Sequence, residues 1–301
     1  MRMDPTKLNF IKGEVRYDEP MSRHTWFKIG GPADVWVAPN DVEDLLNILR
    51  YARDNGVDTF ILGEGSKILV GDKGVRGFVI VLRNPNFRYM KLEGEVIDLG
   101  CGTKISEFLS GAMQHGLGGC EFLAGLPGTI GGALVMNAGS PSNGIGDFVE
   151  EVIAIKDLTV TSLKKEQIEF SYRNAGLNEF ILLGARLRLA KKDVDEIQAQ
   201  IDKNLNVKRQ VQDLSYPSVG CIFKNPSESI SSGRLIELSG FKGYSIGDAS
   251  VSVKHANFIL NRGSAKASDV LRLIDEIQKK VFNDHGIMLE LEAKLVGEFN
   301  G

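Results

Sequence analysis

Apolar residues along this chain recur at two spacings, and the alternation between them outlines its architecture. ADVWVAP (33–39) alternates like a half-buried strand. Val42, Leu45, Leu46, Leu49 and Ala52 then mark one face of a helix that Gly56 ends, and Asn40 with Glu43 predicts a capping box at its start. TFILG (59–63), GFVIVL (77–82) and EVIDLG (95–100) are apolar runs of strand length. Thr103 opens a second helix with Ile105, Phe108, Leu109 and Ala112 on one face and Gly116 as its stop. EVIAIKDL, IEFSYRN and FILLGARLRLA predict further strands of one sheet system. A helix over 194–207 follows, striped by Ile197, Ile201 and Leu205.

Beyond it come GRLIELSG, a strand over VSVKHANFIL, and a long helix over 268–284 stopped by Gly286. IMLELEAKLVG (287–297) alternates, which puts Leu289, Leu291, Ala293 and Leu295 on one face and Glu290, Glu292 and Lys294 on the other. Strands interleaved with helices leave α/β or α+β architecture open. A boundary near 190–205 divides the chain into 1–195 and 196–301.

Composition narrows the class. At 301 residues the chain can bury two cores, and 43% apolar with 25% charged residues is ordinary for a globular enzyme. A net charge of −3 argues against nucleic acid as a partner. No apolar run approaches the roughly 20 residues of a membrane helix. The opening MRMDPTKLNFIKGEV lacks an apolar signal core, so no membrane insertion and a cytoplasmic location are expected. Cys101, Cys120 and Cys221 form no CxxC, and the four histidines no HExxH; neither a disulfide framework nor a metal is expected.

Glycine changes the picture most. Of 34 glycines, 11 fall within residues 111–146, a density that no single helix or sheet tolerates. LGEGSKILV (62–70) is neither a P-loop nor a Rossmann fingerprint. It reads either as a tight turn or as a nest of N–H groups, with Ser66, around a phosphate. FLAGLPGTIGGALVMNAG (122–139) suits a flat apolar cofactor lying against backbone, with Thr129 and Asn137 as polar contacts. Taken singly, Arg173 and Glu292 read as solvated charges and His255 as an exposed residue on an edge strand.

Seven ordered segments carry more than any one of them: HTWFKIGGPADVWVAP, LGEGSKILV, GGCEFLAGLPGTIGGALVMNAG, YRNAGL, YPSVGCIFKNP, KHANFILNRG and LELEAKLVG. Together they resemble, from about residue 20 to 298, the FAD-dependent UDP-N-acetylenolpyruvoylglucosamine reductases of bacterial peptidoglycan synthesis. The resemblance implies an α+β fold: an FAD module of the vanillyl-alcohol-oxidase (PCMH) type, built of two subdomains, then a substrate domain. It implies non-covalent FAD, reduced by NADPH, which passes a hydride to the enolpyruvyl group of a UDP-sugar. Gly63, Gly65, Ser66 and Lys67 would lie in the loop meeting the FAD pyrophosphate. Gly125, Pro127, Gly128, Thr129, Gly132, Asn137 and Ala138 would lie along the rest of the flavin nucleotide.

The catalytic arginine and glutamate fall on Arg173 and Glu292, and the proton donor, usually serine, on Cys221. Arg209 and Asn225 would face the substrate. The chemistry agrees with these roles. Hydride addition leaves charge delocalised into a carboxylate, which a guanidinium fork matches. A thiol is a stronger acid than an alcohol and can protonate the carbanion. Glu292 beside that charge is expected to carry a proton when acting.

Val211 and Asp213 stand where lysine and proline are frequent, and Asp248 where a second glycine is. No insertion follows GARLRLA, so the chain resembles the shorter subclass without a tyrosine-bearing loop. A monomer is expected. Two other readings are another flavin oxidoreductase or oxidase of this fold acting on small hydroxy compounds, and a non-catalytic flavin or nucleotide-sugar sensor.

Overall fold

The computed structural model describes residues 5–139 and 143–299; residues 1–4, at the head of the N-terminal stretch read above, lie outside it. The chain forms two compact units that exchange segments. The first takes the chain up to Arg16, then Trp36–Glu64 and Gly77–Lys208; the second takes Tyr17–Val35, Gly65–Arg76 and the chain from Arg209 onward.

Within the first unit, α1 (Val42–Asn55) buries Leu45, Ile48, Leu49 and Ala52, as the spacing predicts. Its cap differs by one residue: Asp41, not Asn40, accepts the Asp44 N–H at 2.9 Å. Gly56, at φ +62°, ends it in the left-handed conformation that glycine adopts freely. Strand Thr59–Leu62 pairs parallel with Val75–Val81. A five-stranded antiparallel sheet runs in the order Thr159–Lys164, Val149–Lys156, Ile181–Arg188, Val96–Gly100, Met90–Glu93. Ile97, Leu99, Val152 and Leu187 point from it onto Phe108 of α2 (Ile105–Gln114) and Leu134 of α3 (Ile130–Val135). Helix α4 (Val194–Val211) runs four residues beyond its expected end.

Two readings change here. IEFSYRN is not a strand, because Ser171 and Asn174 exchange backbone hydrogen bonds of 2.8 and 3.2 Å and close a turn. The edge strand Thr159–Lys164 replaces it; its two apolar residues, Val160 and Leu163, are three apart and so fall on opposite faces, which hid it.

In the second unit, α5 (Ser232–Leu238) and α6 (Ala267–His285) pack on a core of Phe27, Leu69, Phe223, Ile236, Val270 and Leu273. Each large side chain fully buried contributes about 1.5–3 kcal/mol. Gly286, at φ +70°, stops α6 where the sequence predicts. VSVKHANFIL is two short antiparallel strands, Ala249–Val251 and Ile259–Asn261, joined by a loop in which His255 lies half-buried against Phe258. Desolvation there pushes His255 down.

The last segment forms strand only at Lys294–Val296, parallel to Ile68–Val70. Its alternation breaks because Glu292 and Ala293 both donate to the Ile222 carbonyl, at 2.8 and 3.2 Å. Glu292 is therefore buried and Leu295 exposed, the reverse of the simple pattern. Among the described residues no helix is long and apolar enough to cross a membrane, and no His, Cys, Asp and Glu cluster could hold a metal ion.

Candidate active site

The two glycine loops meet within the first unit. A methyl group on Gly63 would lie 3.0 Å from Thr129 Oγ1, so the end of LGEG and the start of α3 are neighbours. Thr129 caps α3 by accepting the Gly132 N–H at 3.2 Å. Backbone bonds Ile105 N–H to Gly128 O, Ile130 N–H to Thr103 O and Gly131 N–H to Cys101 O pin the 128–131 turn. Helix α4 pins the stretch before it: Asn204 Nδ2 donates to Glu121 O at 2.8 Å, and Lys208 Nζ donates to Ala124 O. Gly125 takes φ +72°, with Leu205 2.8 Å from where a Cβ would be. Gly63, Gly125, Pro127 and Gly132 remain exposed. Gly128 and Ala138 are half-exposed beside them.

Asn137 and Arg173 share one substructure. Asn137, itself at φ +38°, donates from Nδ2 to Ser171 O at 3.0 Å and accepts Gly146 N–H on Oδ1 at 3.0 Å. Its amide thus ties the glycine loop to the turn carrying Arg173, in addition to any contact with a cofactor expected of it. Arg173 occupies the left-handed region at φ +58°, which costs a side-chain-bearing residue about 1–2 kcal/mol. Its Nη1 donates to Gly139 O at 2.8 Å, and the guanidinium lies 5.3 Å over the Tyr172 ring. Lys208 was not a sequence candidate. Burial and the charge of Arg173 push it down to about 8. Its only sequence signal is a lysine on the α4 face next to Leu205.

In the second unit, Cys221 follows Gly220, which turns the chain at φ +74°. Cys221 bridges antiparallel to Phe258 and is partly exposed, unlike the buried Cys101 and Cys120. Asn257 holds the next residues: its Oδ1 accepts Phe223 N–H at 2.9 Å and its Nδ2 donates to Phe223 O at 2.8 Å. This buried amide is a positioning residue that sequence reasoning missed, although a lone asparagine in an apolar run was its signal. Glu292 reaches the same turn, because its own N–H donates to Ile222 O. Lys67 Nζ sits 2.7 Å from Glu292 Oε1 and donates to Cys221 O at 3.0 Å. Cys221 and Glu292 are thus brought together, with Lys67 between them; Ser66 and Gly65 precede it in the loop, Gly65 at φ +65°.

Residues 212–296 match the C-terminal domain of the UDP-N-acetylenolpyruvoylglucosamine reductases, and residues 33–158 match an FAD binding domain. The reductase of Moorella thermoacetica is 43% identical over 96% of this chain and 95% of its own. That of Caldanaerobacter subterraneus is 41% identical over 98% of each. The chain belongs to the UDP-N-acetylenolpyruvoylglucosamine reductase family. The crystal structure of the reductase from Thermus caldophilus superposes with a TM-score of 0.82 at 32% identity, covering 95% of this chain and 99% of that one.

The α+β fold of this reductase family member includes an FAD-binding domain, and both glycine loops reach into the matched stretch. The residues fit such a group: the glycine backbone at 63 and 132 is exposed on either side of Thr129, and a Cβ on Gly132 would meet only Thr129 Oγ1, at 3.6 Å. The departures from the reductase pattern have local explanations in part. Asp213 accepts from Ser252 Oγ at 2.9 Å and Ser215 N–H at 3.2 Å. Burial raises its carboxyl, but these bonds more than offset that and leave it below its usual range. Asp248 accepts Ser264 N–H at 2.8 Å and so shapes the turn at Gly263. Val211 is exposed at the end of α4, and nothing in the structure explains it. Asn225 Oδ1 accepts Ser232 N–H at 3.1 Å, and the Arg209 carbonyl accepts from Lys254 Nζ at 2.6 Å with the Arg209 side chain exposed.

Proposed function

We propose that this chain reduces the enolpyruvyl group of UDP-N-acetylglucosamine enolpyruvate to give UDP-N-acetylmuramate, with NADPH as the reductant. Likeness to a reductase across 95% of the chain carries the reading. Lys67, which links the buried Glu292 carboxylate to the backbone carbonyl of the partly exposed Cys221, supports it. We assign FAD binding to 1–195 and sugar-nucleotide binding to 196–301. Gly63, Gly65 and Ser66 would meet its pyrophosphate, and Gly125, Pro127, Gly128, Thr129, Gly132, Asn137 and Ala138 the rest. Neither loop contains histidine or cysteine, so attachment is non-covalent.

FAD, when bound, supplies the hydride that the outer enolpyruvyl carbon receives. The chain's own groups handle the charge and the proton. The Arg173 guanidinium, anchored through Gly139 and Tyr172, stabilises the carboxylate-delocalised charge. The Cys221 thiol gives its proton to the inner carbon, completing a CH–CH3 unit. Glu292 orients the same turn through its pair with Lys67. Arg209 and Asn225 flank the sugar nucleotide. We further assign the protein to the cytoplasm, as a monomer without nucleic-acid or membrane partners, in cell-wall synthesis that supports cell shape and division.

The test is spectral. Purified protein should show flavin absorbance, bleach with NADPH in the absence of oxygen, and recover on adding the UDP-sugar, whose mass rises by two hydrogens. Recovery only with oxygen would identify an oxidase instead, and ligand binding without bleaching a sensor.

A further inference from the structure

Lys67 lies in a loop expected to meet a phosphate, yet its ammonium is directed elsewhere. The cause is strand register. Ile68–Val70 pairs parallel with Lys294–Val296, Lys294 opposite Ile68, and the Lys294 N–H donates to Lys67 O at 2.9 Å. That pairing sets the residue just before one strand beside the residue two before the other. Lys67 Nζ therefore falls 2.7 Å from Glu292 Oε1. The same nitrogen donates to the Cys221 carbonyl at 3.0 Å, and a Cβ on Gly220 would stand 3.6 Å from it. That is ordinary contact, so it is the φ of +74° at residue 220, not the ammonium, that calls for glycine.

The electrostatics give the contact weight. Glu292 is buried, its side chain 5% exposed, and a buried carboxylate without a cation is strongly disfavoured. A lysine head is a compact charge with three donors, so one group can serve a carboxylate and a carbonyl on different segments. The glutamate and the cysteine come from segments far apart in sequence. Lys67 touches both, the carboxylate of one and the backbone carbonyl of the other.

We propose that Lys67 is a positioning residue for the proton-transfer pair, fixing the Glu292 carboxylate and the Cys221 turn, and is not a phosphate ligand of the cofactor loop. This inference rests on the reductase reading given above. It makes Glu292 half of an ion pair rather than an isolated carboxyl. It also makes the two residues one unit, so their substitutions must be coupled.

The test compares Lys67→Met, Glu292→Gln, the double variant and Lys67→Arg. Three properties are read: melting temperature of the flavin-free protein, FAD affinity by titration of that protein, and the two half-reactions by stopped flow. Lys67→Met should lower the melting temperature, and adding Glu292→Gln should restore part of it, because the stranded charge is removed. FAD affinity should stay within about threefold. NADPH bleaching should be near normal, reoxidation by the UDP-sugar about 10- to 100-fold slower, and the double variant no slower than Glu292→Gln alone. Lys67→Arg should recover part of the rate. Additive melting shifts, a large fall in FAD affinity, or normal reoxidation in Lys67→Met would each overturn the proposal. Failure of the UDP-sugar to reoxidise even the unsubstituted protein would overturn the reductase reading instead. The melting cycle needs no substrate, so uncoupled melting would then overturn the pairing on its own.

Discussion

The two units build their candidate surfaces from opposite materials. In the first, the surface is bare backbone: exposed glycines at 63, 125 and 132, pinned from behind by Thr129, Asn204 and Lys208. In the second, it is side chains that satisfy one another, with Lys67 joining Glu292 to the Cys221 turn. A backbone surface has nothing to lose by truncation and is damaged by added atoms. A side-chain cluster is damaged by deletion. Arg173 belongs to the first unit but follows the second rule, since it offers a guanidinium from a strained turn.

Deletion in the second unit should give the largest effect. Cys221→Ala should leave NADPH bleaching intact and slow product formation by about 10²–10⁴, the usual worth of a positioned general acid. Cys221→Ser should retain turnover, and stopped-flow traces of both half-reactions separate the two. Near-normal turnover in the alanine variant would reduce the cysteine to packing.

Arg173 sharpens the exception. Arg173→Ala should slow reoxidation by about 10²–10³, and Arg173→Lys should recover only part, for want of a planar fork. Arg173→Gly should be as slow as Arg173→Ala but more stable by about 1 kcal/mol, because glycine accepts φ +58° without strain. Urea midpoints of the two variants check this. Equal stability would deny that the turn stores strain.

Addition of one methyl tests the backbone surface. Gly125→Ala meets both φ +72° and the Leu205 side chain at 2.8 Å, and should cost about 1–3 kcal/mol with a parallel loss of FAD affinity. A tolerated alanine there would break the contrast between the units.

Much of this was legible because its causes are local. Helices α1 and α6 end at Gly56 and Gly286 by left-handed caps written beside them, and their apolar stripes are regular. The glycine density marked the first unit's surface for the same reason. The turn at 171–174 was not legible: a strand-like apolar spacing hid the Ser171–Asn174 exchange that reverses the chain. Nor was the burial of Glu292, which depends on one distant carbonyl, Ile222 O, accepting two N–H groups. Lys67 and Asn257 find their partners only through strand register and tertiary folding. Spacing along the chain records neither.

A pH-dependent effect belongs to Lys208, held below its ordinary 10.5, at about 8, by burial and by Arg173. Below pH ~8 the folded site penalises an ammonium that both states carry. Between about pH 8 and 10.5 the unfolded chain holds a proton the folded one has released, so stability rises with pH across that window. Lys208→Met should flatten that rise. Urea midpoints at several pH values report it, and an unchanged slope would contradict the assignment.

The central claim is that the Cys221 thiol delivers the proton in the second unit, and selective alkylation tests it most directly. Burial pushes the Cys101 and Cys120 thiols up, which leaves partly exposed Cys221 as the reactive one. After treatment with iodoacetamide, with labelling at Cys221 verified by peptide mass, the protein should still bleach with NADPH but fail to recover with the UDP-sugar. Substrate present during alkylation should protect it. Recovery at the unmodified rate from protein labelled at Cys221 would contradict the account.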